Sequence, residues 1–449
     1  ELAGDVIAPG DPEYDRARTV FMPLFDRRPA VIVRPVDARE VGYVVSLARE
    51  TGLELAVRSG GHSGAGHGVS EGGIVLDLSR LKALEIDPEA RVASAESGLT
   101  AGELTRAAAE HGLGVSLGDT GSVGLGGLTL GGGVGYMVRK HGLTIDHLLA
   151  AEVVTADGRL LRVDEENHPD LFWAIRGGGG NFGVATRFTY RLQPVETVTG
   201  GMLVLPATED VVASFVAAAE AAPEELSTIA NVMPAPPMPF VPEERHGELV
   251  VLAMLVHVGP SDAGERALAP FRALAEPIVD MLRPMSYPEI YPPEDPEYRP
   301  RAAARTMFVD RVDHGVAETI LDRLRSSTAQ MPVAQLRALG GAMARVPAEA
   351  TAFAHRSSRI MVNVAAVYGS PDEAPVHEAW VTELAHELRQ EDDGAYVNFL
   401  GEEGEERVRA AYPGATWDRL AAVKRRYDST NLFRLNQNIP PARAGDGAA

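Results

Sequence analysis

The sequence of 449 residues contains no cysteine. This absence excludes disulfide bonds, thiolate catalysis and cysteine-ligated zinc or iron–sulfur centres. Basic residues are also few, since 42 Lys and Arg stand against 63 Asp and Glu and leave a formal net charge of −21. That charge opposes attraction to the phosphates of nucleic acids and to anionic lipid. We therefore expect no nucleic-acid partner and no membrane partner.

Long hydrophobic runs are missing as well, and no apolar segment reaches the length that spans a bilayer. Hydrophobic residues make up 45% of the chain and the mean hydropathy is −0.06, which is typical of a soluble globular protein. No basic and apolar leader opens the sequence, which favours the cytoplasm. The chain begins with Glu1 rather than Met, however, so its localisation stays open. The length predicts two or more folding units.

The first half of the chain has the pattern of an α+β domain. Residues 30–61 predict a strand, a helix and a second strand, with Asp37 and Glu40 as a capping box at the start of the helix. Thr100 and Glu103 predict a second capped helix. The turn residues at 156–158 predict a hairpin. Because Pro is favoured in the first helical turn, Pro169 indicates the start of a further helix.

The pattern changes near residues 193–194, where the glycine clusters end. Alternating helix and strand signals then predict a second α+β domain. The proline-rich segments 234–242 and 284–300 predict loops, and the chain becomes helical again from about residue 372.

Three glycine clusters lie in the first half, at 60–68, 124–135 and 177–183. Glycine lets backbone N–H groups approach an anion closely, so such loops can hold phosphates, although each alone can be an ordinary tight turn. Three clusters together favour a bound phosphorylated cofactor. The third cluster satisfies G-x-G-x-x-G, but a helix precedes it and a strand follows it, the reverse of a Rossmann turn. We therefore reject a Rossmann fingerprint.

His62 lies inside the first glycine cluster. A lone loop histidine most often caps a turn or binds a phosphate. It could instead reach the reactive ring of a cofactor as a nucleophile. A metal site would need converging ligands, and His67 is only one further candidate, so we predict no metal. The residues alone leave the first two possibilities open.

Four ordered motifs resemble a known family: VRSGGHS at 57–63, SVGLGGLTLGGGVGYMVRKHGLTIDHL at 122–148, LFWAIRGGGGNFGVAT at 171–186, and YVNF with LAAVKRRYDSTNLFRLNQNIPP within 396–441. Together they are similar to the vanillyl-alcohol-oxidase/PCMH flavoproteins, in particular to the bacterial berberine-bridge-enzyme-like branch. The resemblance implies an α+β fold. A PCMH-type FAD-binding domain of two α+β subdomains would cover 1–195, and an inserted α+β substrate domain, an antiparallel sheet flanked by helices, would cover 196–395. Residues 396–441 would return to the FAD domain, and 442–449 would form a frayed tail.

The resemblance also implies how FAD is bound. His62 would form an 8α-histidyl bond to the flavin, and Thr120 stands where many relatives carry a second, cysteine tether, so only one covalent bond is expected. Asn398 would lie on the flavin side. Further residues would hold the pyrophosphate or line the cofactor channel: Ser59, Gly60, Gly61, Ser63, Gly124, Gly127, Gly132 and Val184.

The same likeness suggests three catalytic candidates. Tyr396, in a Y-x-N-F variant of the family's Y-x-N-Y, is the candidate base if a neighbour lowers its pKa, and a half-buried structural tyrosine is the alternative. Strand alternation puts Met361, Asn363 and Ala365 on one face, so Asn363 is either a substrate contact or a solvent-facing side chain. Val123 would lie beside the flavin carbon that dioxygen approaches, and the alternative is a β-branched side chain that only packs behind the glycine loop.

We therefore expect an FAD-dependent oxidase that removes two electrons from a CH–OH or CH–NH centre of a small molecule, passes hydride to flavin and returns the electrons to dioxygen as H2O2. The alternatives are a dehydrogenase of the same fold with another acceptor and a flavin-free binding protein. Asp310, Arg311 and His314 predict a solvated charge cluster, with His314 a reserve candidate for the base. No motif identifies the substrate or the oligomeric state.

Overall fold

The computed structural model describes residues 2–195, 197–291, 295 and 297–443. Helices and mainly antiparallel sheets alternate along this part of the chain, which confirms the α+β class. Strands and helices are numbered below in chain order. Among the described residues, no helix combines the length and the apolar character needed to cross a membrane.

The first sheet has four strands in the order β1-β2-β4-β3 and contains the predicted strand–helix–strand unit. The helix α2 begins where the Asp37 carboxylate accepts hydrogen bonds from the N–H groups of Arg39 and Glu40, and it ends at Gly52, whose φ is 71°. The elements are β1 (Asp5–Ile7), α1 (Tyr14–Ala17), β2 (Val31–Arg34), α2 (Ala38–Thr51), β3 (Leu55–Arg58) and β4 (Ile74–Asp77).

The predicted capping box at Asp37 is wrong in its second half. The Glu40 carboxylate accepts hydrogen bonds from the N–H groups of Gly4 and Val36 instead of that of Asp37. The N-terminal segment before β1 lies beside the helix start and offers competing donors, which local sequence spacing does not reveal.

The second sheet has five antiparallel strands in the order β5-β6-β10-β8-β9. The capping box of α3 is confirmed, because Thr100 Oγ1 accepts from the Glu103 N–H at 3.3 Å and Glu103 accepts from the Thr100 N–H at 2.7 Å. The predicted hairpin is confirmed as β8–β9. The elements are β5 (Leu84–Asp87), β6 (Val92–Glu96), α3 (Ala101–Ala109), β7 (Leu113–Gly114), α4 (Leu125–Leu130), α5 (Val138–His141), β8 (Leu148–Val154), β9 (Leu160–Val163), α6 (Pro169–Ile175), β10 (Val184–Arg191) and β11 (Gln193–Pro194).

The third sheet has eight strands in the order β15-β12-β14-β13-β18-β19-β17, with β16 paired to β12. Helices α7, α8, α9 and α11 bury one face of it. The elements are β12 (Val198–Pro206), α7 (Glu209–Ala221), β13 (Leu226–Pro234), β14 (Leu249–Val258), α8 (Ser261–Arg272), β15 (Val279–Asp280), β16 (Arg283–Met285), β17 (Arg301–Val309), α9 (His314–Ser326), β18 (Met331–Ala338), α10 (Ala342–Arg345), β19 (Ile360–Tyr368) and α11 (Ala374–Leu388).

The other face of this sheet turns toward the N-terminal half. Phe308 and Met361 of the sheet share a core with Val134 and Ile145. Two predicted loop boundaries are wrong, because Pro234 is the last residue of β13 and Pro284 lies in β16. The edge strand β16 tolerates a residue without an N–H group. Residues 292–294 and 296 of the predicted loop 284–300 lie outside the described residues.

The C-terminal segment packs back onto the first two sheets. It contains α12 (Glu405–Ala411) and α13 (Ala415–Tyr427), and Trp417 and Leu420 share a core with Phe172 of α6. Phe433 belongs to the core of the first sheet. The division at residues 195 and 395 stays a prediction. Of the predicted tail, residues 444–449 lie outside the described part, and the N–H of Ala442 donates to the carbonyl of Ala421.

A buried ion pair fixes this C-terminal segment. Lys424 Nζ, fully buried, donates to the Asp428 carboxylate at 2.7 Å and to the carbonyls of Asn181 and Phe433. Asp428 also accepts from the N–H groups of Leu432 and Phe433. The pair therefore joins α13 to the third glycine loop and to the chain that follows α13.

Asp428→Asn should strongly destabilise the fold. The change leaves the Lys424 ammonium buried without a counter-charge, and breaking such pairs typically costs about 3–5 kcal/mol. The measurement is the free energy of unfolding in denaturant. The matched control is Glu405→Gln in the exposed pair with Arg409, which has the same i,i+4 spacing and should cost at most about 1 kcal/mol. Equal losses in the two variants would contradict the assigned role of Lys424.

Candidate active site

A cavity of about 550 Å³ lies between the glycine loops, the C-terminal segment and the inner face of the third sheet. All predicted site residues except Gly132 line it: Ser59, Gly60, Gly61, His62, Ser63, Thr120, Val123, Gly124, Gly127, Val184, Asn363, Tyr396 and Asn398. Gly132 lies behind this wall, where a Cβ would be 3.4 Å from the Tyr396 ring, and its neighbour Gly133 lines the cavity instead.

Two glycine loops meet at one wall of the cavity. A Cβ on Gly60 would lie 2.3 Å from the backbone nitrogen of Gly124, and a Cβ on Gly124 would lie 2.2 Å from that of Gly60. Any larger residue would force the loops apart. Ser59 Oγ holds them together, since it donates to the Ser97 carbonyl and accepts from the Gly126 N–H. On α4, Gly127 faces the cavity, and a Cβ there would meet no atom of the described residues within 4 Å.

His62 projects from the first loop between two neighbours. Its ring stacks on Phe21 with centroids 4.4 Å apart, and its Nε2 lies 3.1 Å from Ser122 Oγ on the second loop. The sequence analysis missed Ser122, although it lies inside a quoted motif, because nothing local indicates that the two loops touch. His67 also lines the cavity, and burial lowers its pKa to about 4, so it is neutral at physiological pH.

Three hydrogen-bond donors converge on the Tyr396 hydroxyl. It accepts from the N–H of Gly133 at 3.0 Å, from the N–H of Val134 at 3.3 Å and from Asn398 Nδ2 at 3.0 Å. Burial raises the pKa of Tyr396 above its ordinary value, and the three donors together with the charge of Arg337 lower it, with burial the larger effect. The three donors would stabilise a phenolate once it forms. The net lowering of the Tyr396 pKa on which the sequence prediction depended is not found, because burial outweighs the donors.

The C-terminal segment closes the opposite side of the cavity with Phe433, Leu435, Asn436 and Gln437. Asn436 Nδ2 donates to the Gly180 carbonyl, and Gln437 Nε2 donates to the Leu400 carbonyl. Asn436 Oδ1 is buried and has no hydrogen-bond partner among the described residues. This wall therefore contains one buried acceptor that receives no hydrogen bond from the described residues.

The third sheet contributes polar residues that sequence reasoning missed. Arg337 forms an ion pair with Asp119, which lies next to Thr120, and also donates to Gln335 Oε1. All of these residues line the cavity with Asn363. The signal available was the alternation of polar residues at 335 and 337 in β18, which indicates one common face but not what that face contacts.

The predicted charge cluster at 310–314 lies at the protein surface, away from the cavity. His314 Nε2 is 2.8 Å from the carboxylate of exposed Asp210, and Arg311 pairs with Asp313. The expected solvated cluster is confirmed, and neither His314 nor Asp310 lines the cavity. His314 is therefore withdrawn as a candidate base.

Comparison with known proteins identifies the family. A model for the FAD binding domain matches residues 29–164, and a model described as "Berberine and berberine like" matches residues 395–440. The (R)-6-hydroxynicotine oxidase of Paenarthrobacter nicotinovorans is 32% identical over 98% of this chain and 97% of its own. An uncharacterized FAD-linked oxidoreductase of Bacillus subtilis is 30% identical over 99% of this chain and 98% of its own.

Solved structures agree with this assignment. The 6-hydroxy-D-nicotine oxidase of Arthrobacter nicotinovorans superposes with a TM-score of 0.88 at 29% identity, over 98% of this chain and 99% of that one. The xylooligosaccharide oxidase of Myceliophthora thermophila shares the fold, with a TM-score of 0.85 at 24% identity over 98% of each chain. The chain therefore belongs to the berberine-bridge-enzyme-like branch of the vanillyl-alcohol-oxidase/PCMH family, and it is an FAD-linked oxidoreductase.

Proposed function

We propose that this oxidoreductase is an oxidase with a single covalent flavin link at His62. It takes a hydride from a CH–OH or CH–NH centre of a small molecule and returns the electrons to dioxygen, which yields H2O2. The observation that carries the proposal is one cavity lined by the glycine loops with His62 and also by Tyr396 and Asn363. A place for the cofactor and a place for proton transfer are thus adjacent.

The residues present fit FAD. The Gly60–Gly124 contact leaves backbone groups rather than side chains at the cavity wall, as phosphate cradles require. Asn436 Oδ1 is a buried acceptor that still lacks a partner, and the cavity is lined largely by apolar groups and glycine. When bound, FAD supplies the ring that accepts the hydride and later reduces dioxygen.

The surroundings of His62 support its role as the attachment point. Phe21 holds the imidazole plane by stacking, and Ser122 fixes the ring rotation through Nε2. An oriented histidine is a better nucleophile than a mobile one. The side chain of Thr120, in the place of the second tether of some relatives, bonds to the Asp119 carboxylate at 3.2 Å, and a hydroxyl offers no thiolate for a second link.

The surroundings of Tyr396 support its role as proton acceptor. The backbone donors at Gly133 and Val134 are fixed, because Gly133 has a φ of 78° and a Cβ there would overlap Thr144. Three donors stabilise the phenolate that must form before Tyr396 can accept the substrate proton. Asn363, on the facing sheet, would orient the substrate.

His62→Ala should release the flavin on denaturation. Protein precipitated with acid keeps a covalently bound flavin and remains yellow, whereas a non-covalent flavin passes into the supernatant. His67→Ala is the matched control, because His67 lies in the same loop and lines the same cavity. We expect yellow precipitate for wild type and His67→Ala and colourless precipitate for His62→Ala. A yellow precipitate from His62→Ala would place the bond elsewhere.

Tyr396→Phe should slow flavin reduction by substrate about 10²–10⁴-fold with little effect on substrate affinity, as expected for loss of a general base. Since burial keeps the pKa of Tyr396 raised, the wild-type rate should rise with pH through the alkaline range, and the variant should lose that rise. Anaerobic stopped-flow absorbance measures both. Tyr412→Phe is the control, because Tyr412 is equally buried and does not line the cavity. An unchanged rate in Tyr396→Phe would remove the tyrosine from the mechanism.

Val123→Leu should slow reoxidation by dioxygen at least tenfold and leave anaerobic reduction nearly unchanged. Val123 lines the cavity one residue before Gly124, and the added methylene fills space in a closely packed wall. The measurement is the rate at which reduced enzyme recovers its flavin absorbance after mixing with oxygenated buffer. Val31→Leu, a similar change in β2 away from the cavity, should have no effect. Slow reoxidation of the wild type itself would favour a dehydrogenase.

A further inference from the structure

The inner face of the third sheet carries one row of polar side chains. Register pairs place Gln335 of β18 opposite Asn363 of β19, Asn231 of β13 opposite Gln335, and Thr306 of β17 opposite Asn363. Directly opposed residues in antiparallel strands share a face, so the four side chains cross the sheet as a line. Of these, Gln335 and Asn363 line the cavity.

Beyond this row, away from Tyr396, the face is apolar. The next residues on β17, β18 and β19 are all partly exposed, and each is alanine, valine or methionine: Ala302, Ala304, Met331, Val333, Ala365 and Val367. Their neighbours of opposite orientation, such as Ala334 and Val364, belong to the helix-covered core. These six residues are called here the apolar strip, which offers no side-chain hydrogen bond. Ala304 lines the cavity and marks the end of the strip that substrate can reach, whereas Met331 and Val333 pack against the core that contains Met233.

The hydrogen-bonding capacity of the polar row is nearly used up within the protein. Gln335 donates to Asn231 and accepts from Arg337, and the charge of Arg337 is balanced by Asp119. Asn363 Oδ1 and Arg337 Nη1 are both buried, and neither atom has a hydrogen-bond partner among the described residues. The side-chain amide of Asn363 is therefore uncommitted in the described part of the chain, and the ion pair with Asp119 compensates the charge of Arg337.

We propose that the substrate is a compact, predominantly apolar alcohol or amine, not a carbohydrate and not a carboxylate. Asn363 Nδ2 donates to the reacting oxygen or nitrogen, whose proton passes to Tyr396, and the hydrocarbon part lies on Ala304 and on Ala365 directly opposite it. This inference rests on the proposed function, because it assumes that the reacting centre lies between Tyr396 and Asn363. It names the substrate class that the sequence left open.

Carbohydrates fit this surface poorly. Each sugar ring carries several hydroxyl groups that lose their water on binding and need partners, and the apolar strip supplies none. Sugar rings also stack on exposed aromatic faces, but the cavity-lining Phe399 ring is already covered by the Arg337 guanidinium at 5.0 Å and flanked edge-on by Tyr396. A carboxylate would meet Arg337 already neutralised, in a protein of net charge −21.

The test compares four probes on the flavin-loaded enzyme under anaerobic conditions. They are 1-phenylethanol, tetrahydroisoquinoline, mandelate, which replaces the methyl group of 1-phenylethanol by a carboxylate, and xylobiose. For a probe that is not oxidised, the shift of the flavin absorbance on titration gives the dissociation constant; for a probe that is oxidised, the dependence of the bleaching rate on probe concentration gives it. We expect 1-phenylethanol and tetrahydroisoquinoline to bind at least tenfold more tightly than mandelate and xylobiose. Comparable or tighter binding of xylobiose or mandelate, or no binding of the apolar probes, overturns the proposal.

A variant pair tests the strip itself. Ala365→Asp introduces a carboxylate on the strip and should weaken binding of 1-phenylethanol at least tenfold, whereas Ala90→Asp, at an exposed turn, should not change it. Flavin content and melting temperature confirm that both variants are folded, and unchanged binding in folded Ala365→Asp counts against the strip as the contact. Apolar probes that bind without flavin bleaching or peroxide would contradict the proposed oxidase function and leave the class preference standing, so the two failures are distinguishable.

Discussion

The contact between Gly60 and Gly124 is the constraint on which the rest of the site depends. The two backbones approach so closely that a single Cβ on either residue would overlap the other. His62 lies two residues after one glycine, and Ser122 lies two residues before the other, so the contact itself brings the imidazole to the hydroxyl. Val123 is positioned at the cavity wall by the same contact. Residues from distant parts of the sequence thereby form one wall.

The same principle extends across the cavity to Tyr396. Gly131 packs against Asn398 so tightly that a Cβ would lie 2.0 Å from its Oδ1, and Asn398 in turn donates to Tyr396. The C-terminal segment that carries both residues is held by the buried pair of Lys424 and Asp428. The N-terminal loops and the C-terminal segment are thus one unit built around the cavity, and the third sheet forms its remaining side.

Most of the residues predicted from glycine-rich motifs lie at one cavity. His62, Thr120, Val123 and Gly127 all line the cavity, because such motifs encode backbone shape locally. Local sequence patterns were insufficient where contacts between distant segments determine the structure. The ion pair of Asp119 with Arg337 depends on how the third sheet docks against the second glycine loop, which no local pattern reports. Gly133 lines the cavity where the sequence predicted Gly132, so local patterns can also misplace a contact by one residue.

For the fold as well, predictions were correct where the interactions were local. Helix caps with their own local donors, such as Thr100 with Glu103, were predicted correctly. The predicted bond from the Asp37 N–H to Glu40 was wrong, because a chain segment from outside the helix donates to the Glu40 carboxylate instead. Strand alternation correctly put Asn363 on a face with Met361 and Ala365, but the polar row it belongs to became visible only with the register of four strands.

The central claim is that the flavin is bound in the glycine cradle and bonded to His62. Peptide mapping of the purified protein by mass spectrometry tests it most directly. The account predicts that the peptide between Arg58 and Arg80 carries the mass of FAD and that its fragment ions place the flavin on His62 rather than on His67. An unmodified peptide from yellow protein, or flavin on any other residue, would contradict it.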